Sequence, residues 1–162
     1  MRGMAFQDYL KGNYCWCCGT RNHRGLQIRS FWDEENPEVA VCEWRPEWWH
    51  CAGSGKARFM LNGGIMLTLI DGHSVCTALA DAYRRERREI GTHPKIWYVT
   101  GGWGQGRFLK PVPVALPLTL RARVKEIEGR KTIVECAIFS EGVQKTTPVD
   151  IIAIRKDSLG EE

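Results

Sequence analysis

The chain has 162 residues, 43% of them apolar and 26% charged, with a formal net charge of +4. Such a length fits one domain (1–162), and such a composition excludes a disordered or fibrous chain. The basic residues are spread out, apart from Arg84, Arg85, Arg87 and Arg88 around Glu86, so no nucleic-acid-binding face is expected.

In chain order, Met1 to Leu10 contains Gln7 and Asp8 and no continuous apolar run, which does not read as a signal peptide. Seven cysteines cannot all pair within one chain. Reduced thiols and a cytoplasmic location are therefore expected. Cys15 to His23 reads as a loop. Its Cys15, Cys17, Cys18 and His23 are of zinc-ligand type, but no second C-x-x-C follows at zinc-finger spacing. A structural turn packed by Trp16 is the preferred reading, and no metal is expected. A strand is predicted at about Leu26 to Trp32, a turn at Asp33 to Pro37 and a second strand from Val39 to Trp44, ended by Pro46. Trp44, Trp48 and Trp49 read as core and interface anchors. In the polar loop that follows, Gly53-Ser54-Gly55-Lys56-Ala57 lacks the Ser or Thr of a P-loop.

Ile65 to Tyr83 is apolar on nearly every face, the pattern of a buried helix. It falls short of a membrane span because Asp71, His73 and Ser74 interrupt it. Its cationic end, Arg84 to Arg88, matches the negative end of the helix dipole. Beyond Gly91 to Pro94 the period shifts to two. Strands are predicted at Ile96 to Thr100, Arg107 to Leu109, Leu116 to Ile127, Thr132 to Phe139 and Val149 to Ile154, with a hairpin turn at Glu128-Gly129-Arg130. Gly101-Gly102-Trp103-Gly104-Gln105-Gly106 precedes a strand instead of opening a helix, so it reads as a bulged strand permitting close approach of a ligand. Asp157 to Glu162 reads as a short flexible tail after a core of about 15–156. The order of elements predicts an α+β domain with one helix wrapped by one sheet.

Asp71 is the most informative residue. A carboxylate taken out of water is costly unless partnered, and mid-helix burial without a paired charge or a task is rare. From the residues alone two readings stay open, an ion pair with Lys or Arg of a neighbouring strand and a chemical role. Gly63-Gly64 begins the helix, where unpaired N–H groups and the positive dipole end suit a carbonyl oxygen gaining negative charge in acyl transfer. The two glycines equally serve to let the helix start lie close to a strand. Asp71 lies about two turns on, on the order of 10 Å of rise. Contact of both groups with one carbonyl would need a substrate lying along the helix or a second subunit. His73, two residues from Asp71, does not share its face and reads as a core or interface histidine.

Leu61-Asn62-Gly63-Gly64-Ile65-Met66-Leu67-Thr68-Leu69-Ile70-Asp71 resembles the signature of hotdog-fold thioesterases of the phenylacetyl-CoA type, in which His-Gly-Gly, an apolar run and an acid follow at this spacing. Cys15-x-x-Cys18-Gly19-x-x-Asn22-x-x-Gly25-Leu26, Val99-Thr100, Arg107-Phe108-Leu109-Lys110-Pro111 and the hairpin Leu118 to Phe139 resemble the same family in order. The resemblance implies a hotdog fold with a five- to six-stranded antiparallel sheet, joined edge to edge in a homodimer or homotetramer. It implies hydrolysis of an acyl-CoA, with coenzyme A as part of the substrate and no other cofactor. By carry-over, the Gly63 and Gly64 amides polarise the thioester carbonyl. Asp71 is general base or nucleophile, and Thr100 of the opposing subunit holds the water. His50, Trp103 and Arg107 are candidates to touch substrate, Trp103 at the pantetheine arm. Asn62 stands where the family has His; it keeps a hydrogen-bond donor but cannot shuttle a proton near neutral pH. A non-catalytic acyl-CoA-binding protein and a hotdog hydratase or dehydratase remain the alternatives.

Overall fold

A computed structural model describes residues 3–157; the rest of the expected tail, 158–162, lies outside the described residues. The centre is α1 (Gly63–Arg85). Asn62 caps it: the backbone is extended there, and Oδ1 accepts from the N–H groups of Gly64 (2.8 Å) and Ile65 (3.3 Å), which satisfies two of the donors a helix start leaves open. At the other end Arg84 and Arg85 grip the buried Asp81 carboxylate at 2.9 and 2.8 Å.

Seven antiparallel strands wrap this helix: β1 (Ser30–Trp32), β2 (Val39–Trp44), β3 (Trp97–Trp103), β4 (Leu118–Glu128), β5 (Lys131–Ser140), β6 (Val143–Gln144) and β7 (Val149–Lys156). Their order is β1-β2-β4-β5-β7-β3, with β6 on β5. Period-two patterning seats the inner face. Leu118, Leu120 and Ala122 of β4 and Val149, Ile151 and Ala153 of β7 are buried against α1, and each large aliphatic side chain so buried is worth about 1.5–3 kcal/mol. Phe6 and Leu10, upstream of the expected core, are also buried in it.

Several expectations need correction. Only Ser30–Trp32 of the segment Leu26 to Trp32 is strand, because Leu26 and Ile28 donate instead to the carbonyls of Trp16 and Cys17. Arg107 to Leu109 forms a single bridge, Phe108 to Thr146, and no strand; its N–H groups go to the 145–147 loop. Trp16 is 55% exposed and does not pack the cysteine loop. Cys17 does: its thiol donates to the Thr68 carbonyl at 3.2 Å, and any Cβ at Gly72 would collide with its sulfur. Of the three tryptophans expected as core and interface anchors, Trp44 is in the core, and Trp48 and Trp49 are exposed in the single chain.

The helix is also not buried all round. From Gly72 to Tyr83 only Val75 is partly open, but in the first half Gly64, Leu67, Thr68 and Asp71 form an open stripe. Positions i, i+3, i+4 and i+7 share one helix face. The helix is long and apolar enough to cross a membrane by length and composition; here it is the core helix.

Candidate active site

Asp71 sits on that open stripe, half-buried, facing a pocket of about 280 Å3 lined by Gly64, Leu67, Thr68, Asp71, Thr100, Trp103 and Ile151. Its partner is Thr100, whose hydroxyl donates to Oδ1 at 2.5 Å. Among the described residues no Lys or Arg pairs with Asp71, so the ion-pair reading falls. Burial pushes the Asp71 carboxyl above the usual carboxylate range, and the Thr100 bond opposes part of that rise.

Thr100 reaches Asp71 within one chain, and a bulge makes this possible. In the β3–β7 ladder Thr100 pairs with Ala153, but Gly102 pairs with Ile152 and Trp103 with Ile151, so Gly101 is the extra residue. Simple alternation would place Thr100 and Trp103 on opposite faces. The bulge turns both toward the helix, since their partners Ala153 and Ile151 face inward. Gly101 fits the bulge because a Cβ there would lie 2.7 Å from Ile154 Cγ1. The glycine run marks this strand as bulged; which side chains the bulge re-aims is not readable from it.

Trp103 also lines a second pocket of about 200 Å3, with Leu67, Ile70, Gly104, Gly106, Arg107, Phe108, Thr146 and Val149. Phe108, not singled out by sequence, lies against the helix start: a Cβ on Gly63 would be 3.1 Å from its ring. The Arg107 guanidinium has no acidic partner among the described residues.

The donors at the helix start differ from the expectation. The Gly64 amide is engaged by the Asn62 cap, whereas the Gly63 amide and Asn62 Nδ2 have no acceptor among the described residues. Eight residues separate Gly63 from Asp71, about 12 Å of helix rise, so one chain does not bring them to one carbonyl. His50 does not line either pocket. Its main-chain carbonyl accepts from Asn62 N–H at 2.9 Å, and its Nδ1 accepts from Glu47 N–H at 2.9 Å while the ring lies 5.1 Å from that of Trp44. Burial lowers its pKa, and its place is in loop structure.

His73 points to the other side of the helix. Its Nε2 donates to the Ala40 carbonyl at 3.2 Å and its Nδ1 accepts from Ser30 Oγ at 2.8 Å. Gln7 completes the network on Ser30. A larger cavity, about 390 Å3, lies at the far end of α1 between Leu10, Tyr83, Ile96 and Trp97. Its charged lining, Lys11 and Lys95 against Asp8 and Glu89, has both signs, and neither Asp71 nor the helix start reaches it.

No family model and no curated protein matches the chain. Solved structures do match. A thioesterase superfamily protein from Shewanella loihica PV-4 is 24% identical over 78% of this chain and 89% of its own, with a TM-score of 0.58. The PaaI protein of the phenylacetic acid degradation operon of E. coli is 15% identical over 81% and 80%, with a TM-score of 0.60. A hypothetical thioesterase from Streptococcus pneumoniae TIGR4, solved with coenzyme A, is 12% identical over 74% and 79%, with a TM-score of 0.57. Another neighbour is described as hot-dog-like. The chain has the hotdog fold. At these identities the likeness is one of fold. Against the expected five to six strands the sheet has seven among the described residues, β6, two residues long, being the one that no predicted strand covers.

Proposed function

We propose that this hotdog protein hydrolyses an acyl-CoA thioester to the free acid and the thiol. The observation that carries this reading is Asp71: a carboxylate with no cationic partner, oriented by one hydroxyl, on the open stripe of an otherwise buried helix. A raised carboxyl is a stronger base once ionised. In the base route Asp71 takes a proton from water as the oxygen attacks the thioester carbonyl. The tetrahedral oxyanion collapses, the C–S bond breaks, and the proton on Asp71 passes to the departing thiolate. In the nucleophile route Asp71 attacks the carbonyl carbon, and the C–S bond breaks to give the mixed anhydride and the thiolate. Water then cleaves the anhydride, releasing the acid and regenerating Asp71 while a proton passes to the thiolate. Thr100 holds the carboxylate in line in both.

The oxyanion would be met by the Gly63 amide and Asn62 Nδ2, at the positive end of the α1 dipole. Because these groups and Asp71 of one chain stand about 12 Å apart, we assign them to two copies. The strand edge supports this: among the described residues β3 has a neighbour only in β7, offers seven residues, and carries the exposed Val99. An open edge of this kind invites pairing with a second chain. Arg107, with no acidic partner among the described residues, lines the space beside the Asp71 pocket and is a candidate to touch the substrate.

A non-catalytic acyl-CoA-binding protein is the second reading, favoured by Asn62, whose Oδ1 caps the helix. A hydratase gains nothing from His73, which is sealed away from Asp71. Thiol release from acetyl-, octanoyl-, phenylacetyl- and palmitoyl-CoA, measured with the unaltered protein and with Asp71→Asn, separates the two. Hydrolysis that falls at least a hundredfold in the variant is the expected result. Binding without release by either protein would hand the lead to the second reading.

A further inference from the structure

Leu67 and Trp103 are shared by the Asp71 pocket and its neighbour. The two spaces differ in chemistry. One holds Asp71, Thr68 and Thr100. The other is walled mainly by the apolar Leu67, Ile70, Phe108 and Val149, with Arg107 as its one charged lining residue and no carboxylate. Its Thr146 hydroxyl is already engaged, accepting from Ile138 N–H at 3.1 Å, and Gly104 and Gly106 bring backbone instead of side chains to its wall. An apolar space beside an acid is where an acyl group would be sheltered from water.

We propose that Trp103, set on the helix side of β3 by the bulge at Gly101 and 60% exposed in the single chain, is the partition between these two spaces and the residue that sets acyl length. Trp103 is a specificity-determining residue for the thioester hydrolysis proposed above, and the assignment rests on that reading. At about 30 Å3 for each group the size of a water molecule, the 200 Å3 space holds about six or seven carbon-sized units. The acyl class is accordingly compact, of short to medium length. A longer chain directed from the Asp71 pocket into this space meets the indole of Trp103, which lines both.

The test is the ratio of kcat/KM along saturated acyl-CoAs from two to sixteen carbons, for the unaltered protein, Trp103→Ala and Trp103→Phe. The unaltered protein is expected to lose at least tenfold between eight and fourteen carbons. Trp103→Ala should recover at least tenfold on the fourteen-carbon substrate relative to the eight-carbon one, with Trp103→Phe between them. A uniform fall at every length in both variants would mean that Trp103 only supports the fold, and overturns the proposal. So would a flat profile in the unaltered protein. If the unaltered protein releases no thiol at all, the hydrolase reading fails by itself. Calorimetric affinities for the same series then decide on Trp103: a length limit that Trp103→Ala lifts supports its role, while unchanged limits or no binding reject it.

Discussion

Asp71 and His73 are two residues apart on one helix and live in opposite surroundings. At about 100° per residue they point some 200° apart, one onto the open stripe and the other into the sheet. Asp71 is half-buried, lines a pocket and, among the described residues, has one hydrogen-bond partner, Thr100 on Oδ1. His73 is fully buried, with both ring nitrogens bonded, and burial depresses its pKa to about 4. A polar group with every bond satisfied stabilises a fold; one left with capacity to spare, aimed into a cavity, is available for chemistry. The functional difference lies in the partners, since both residues are titratable and both sit among apolar neighbours.

The largest expected effect separates the two in opposite columns. Asp71→Asn should lower kcat/KM at least a hundredfold, about 2.7 kcal/mol, while leaving the melting temperature equal or higher. Because burial raises the folded-state pKa of Asp71 above its unfolded value, the ionised carboxylate opposes folding at neutral pH, and its removal relieves this. A variant that instead melts much earlier would put Asp71 among the structural residues. His73→Ala should do the reverse. It leaves Ser30 Oγ and the Ala40 carbonyl without their partner and opens a cavity, which costs about 3 kcal/mol. The melting temperature should drop by roughly 10 °C, with little loss of kcat per folded molecule.

The same contrast appears in pH dependence. His73 has a folded-state pKa of about 4, below its ordinary value of 6.5, so the unfolded chain binds more protons between these values. Its contribution is whole above about pH 6.5 and is lost progressively as pH falls toward 4, on the order of 3 kcal/mol. Urea titrations across that window should show the loss, and His73→Gln should flatten it. Catalysis should fall on the acid side as Asp71 becomes protonated, at a pH above the usual carboxylate range. The smallest effect is the sharpest probe of the site. Thr100→Val removes a bond that holds the Asp71 pKa down, so the acid limb of the rate profile should move to higher pH. A loss of about tenfold in kcat should accompany it; an unmoved limb would detach Thr100 from the reaction.

Much of this molecule is legible in its amino-acid order alone. The long apolar run of Ile65 to Tyr83, the alternation of Leu118, Leu120, Ala122 and Val124, and the hairpin at Gly129 determine a helix and a following antiparallel sheet, because burial imposes periods of 3.6 and 2 locally. Asp71 stands out for the same reason, as a charge where the pattern wants a hydrocarbon. Asn62 as helix cap is open to the same reasoning, since Asn before a helix start is a preferred cap, yet the resemblance draws attention to the missing His instead. What only the tertiary structure decided are the facts that depend on distant segments meeting. The open stripe of α1 exists because Leu67, Thr68 and Asp71 line a pocket, whereas Gly72 is packed by Cys17. Thr100 meets Asp71, and Trp103 divides two pockets, because one extra residue shifts the β3 register against β7. A register shift reverses which side chains face inward, and no local pattern in β3 records where its partner strand will stand.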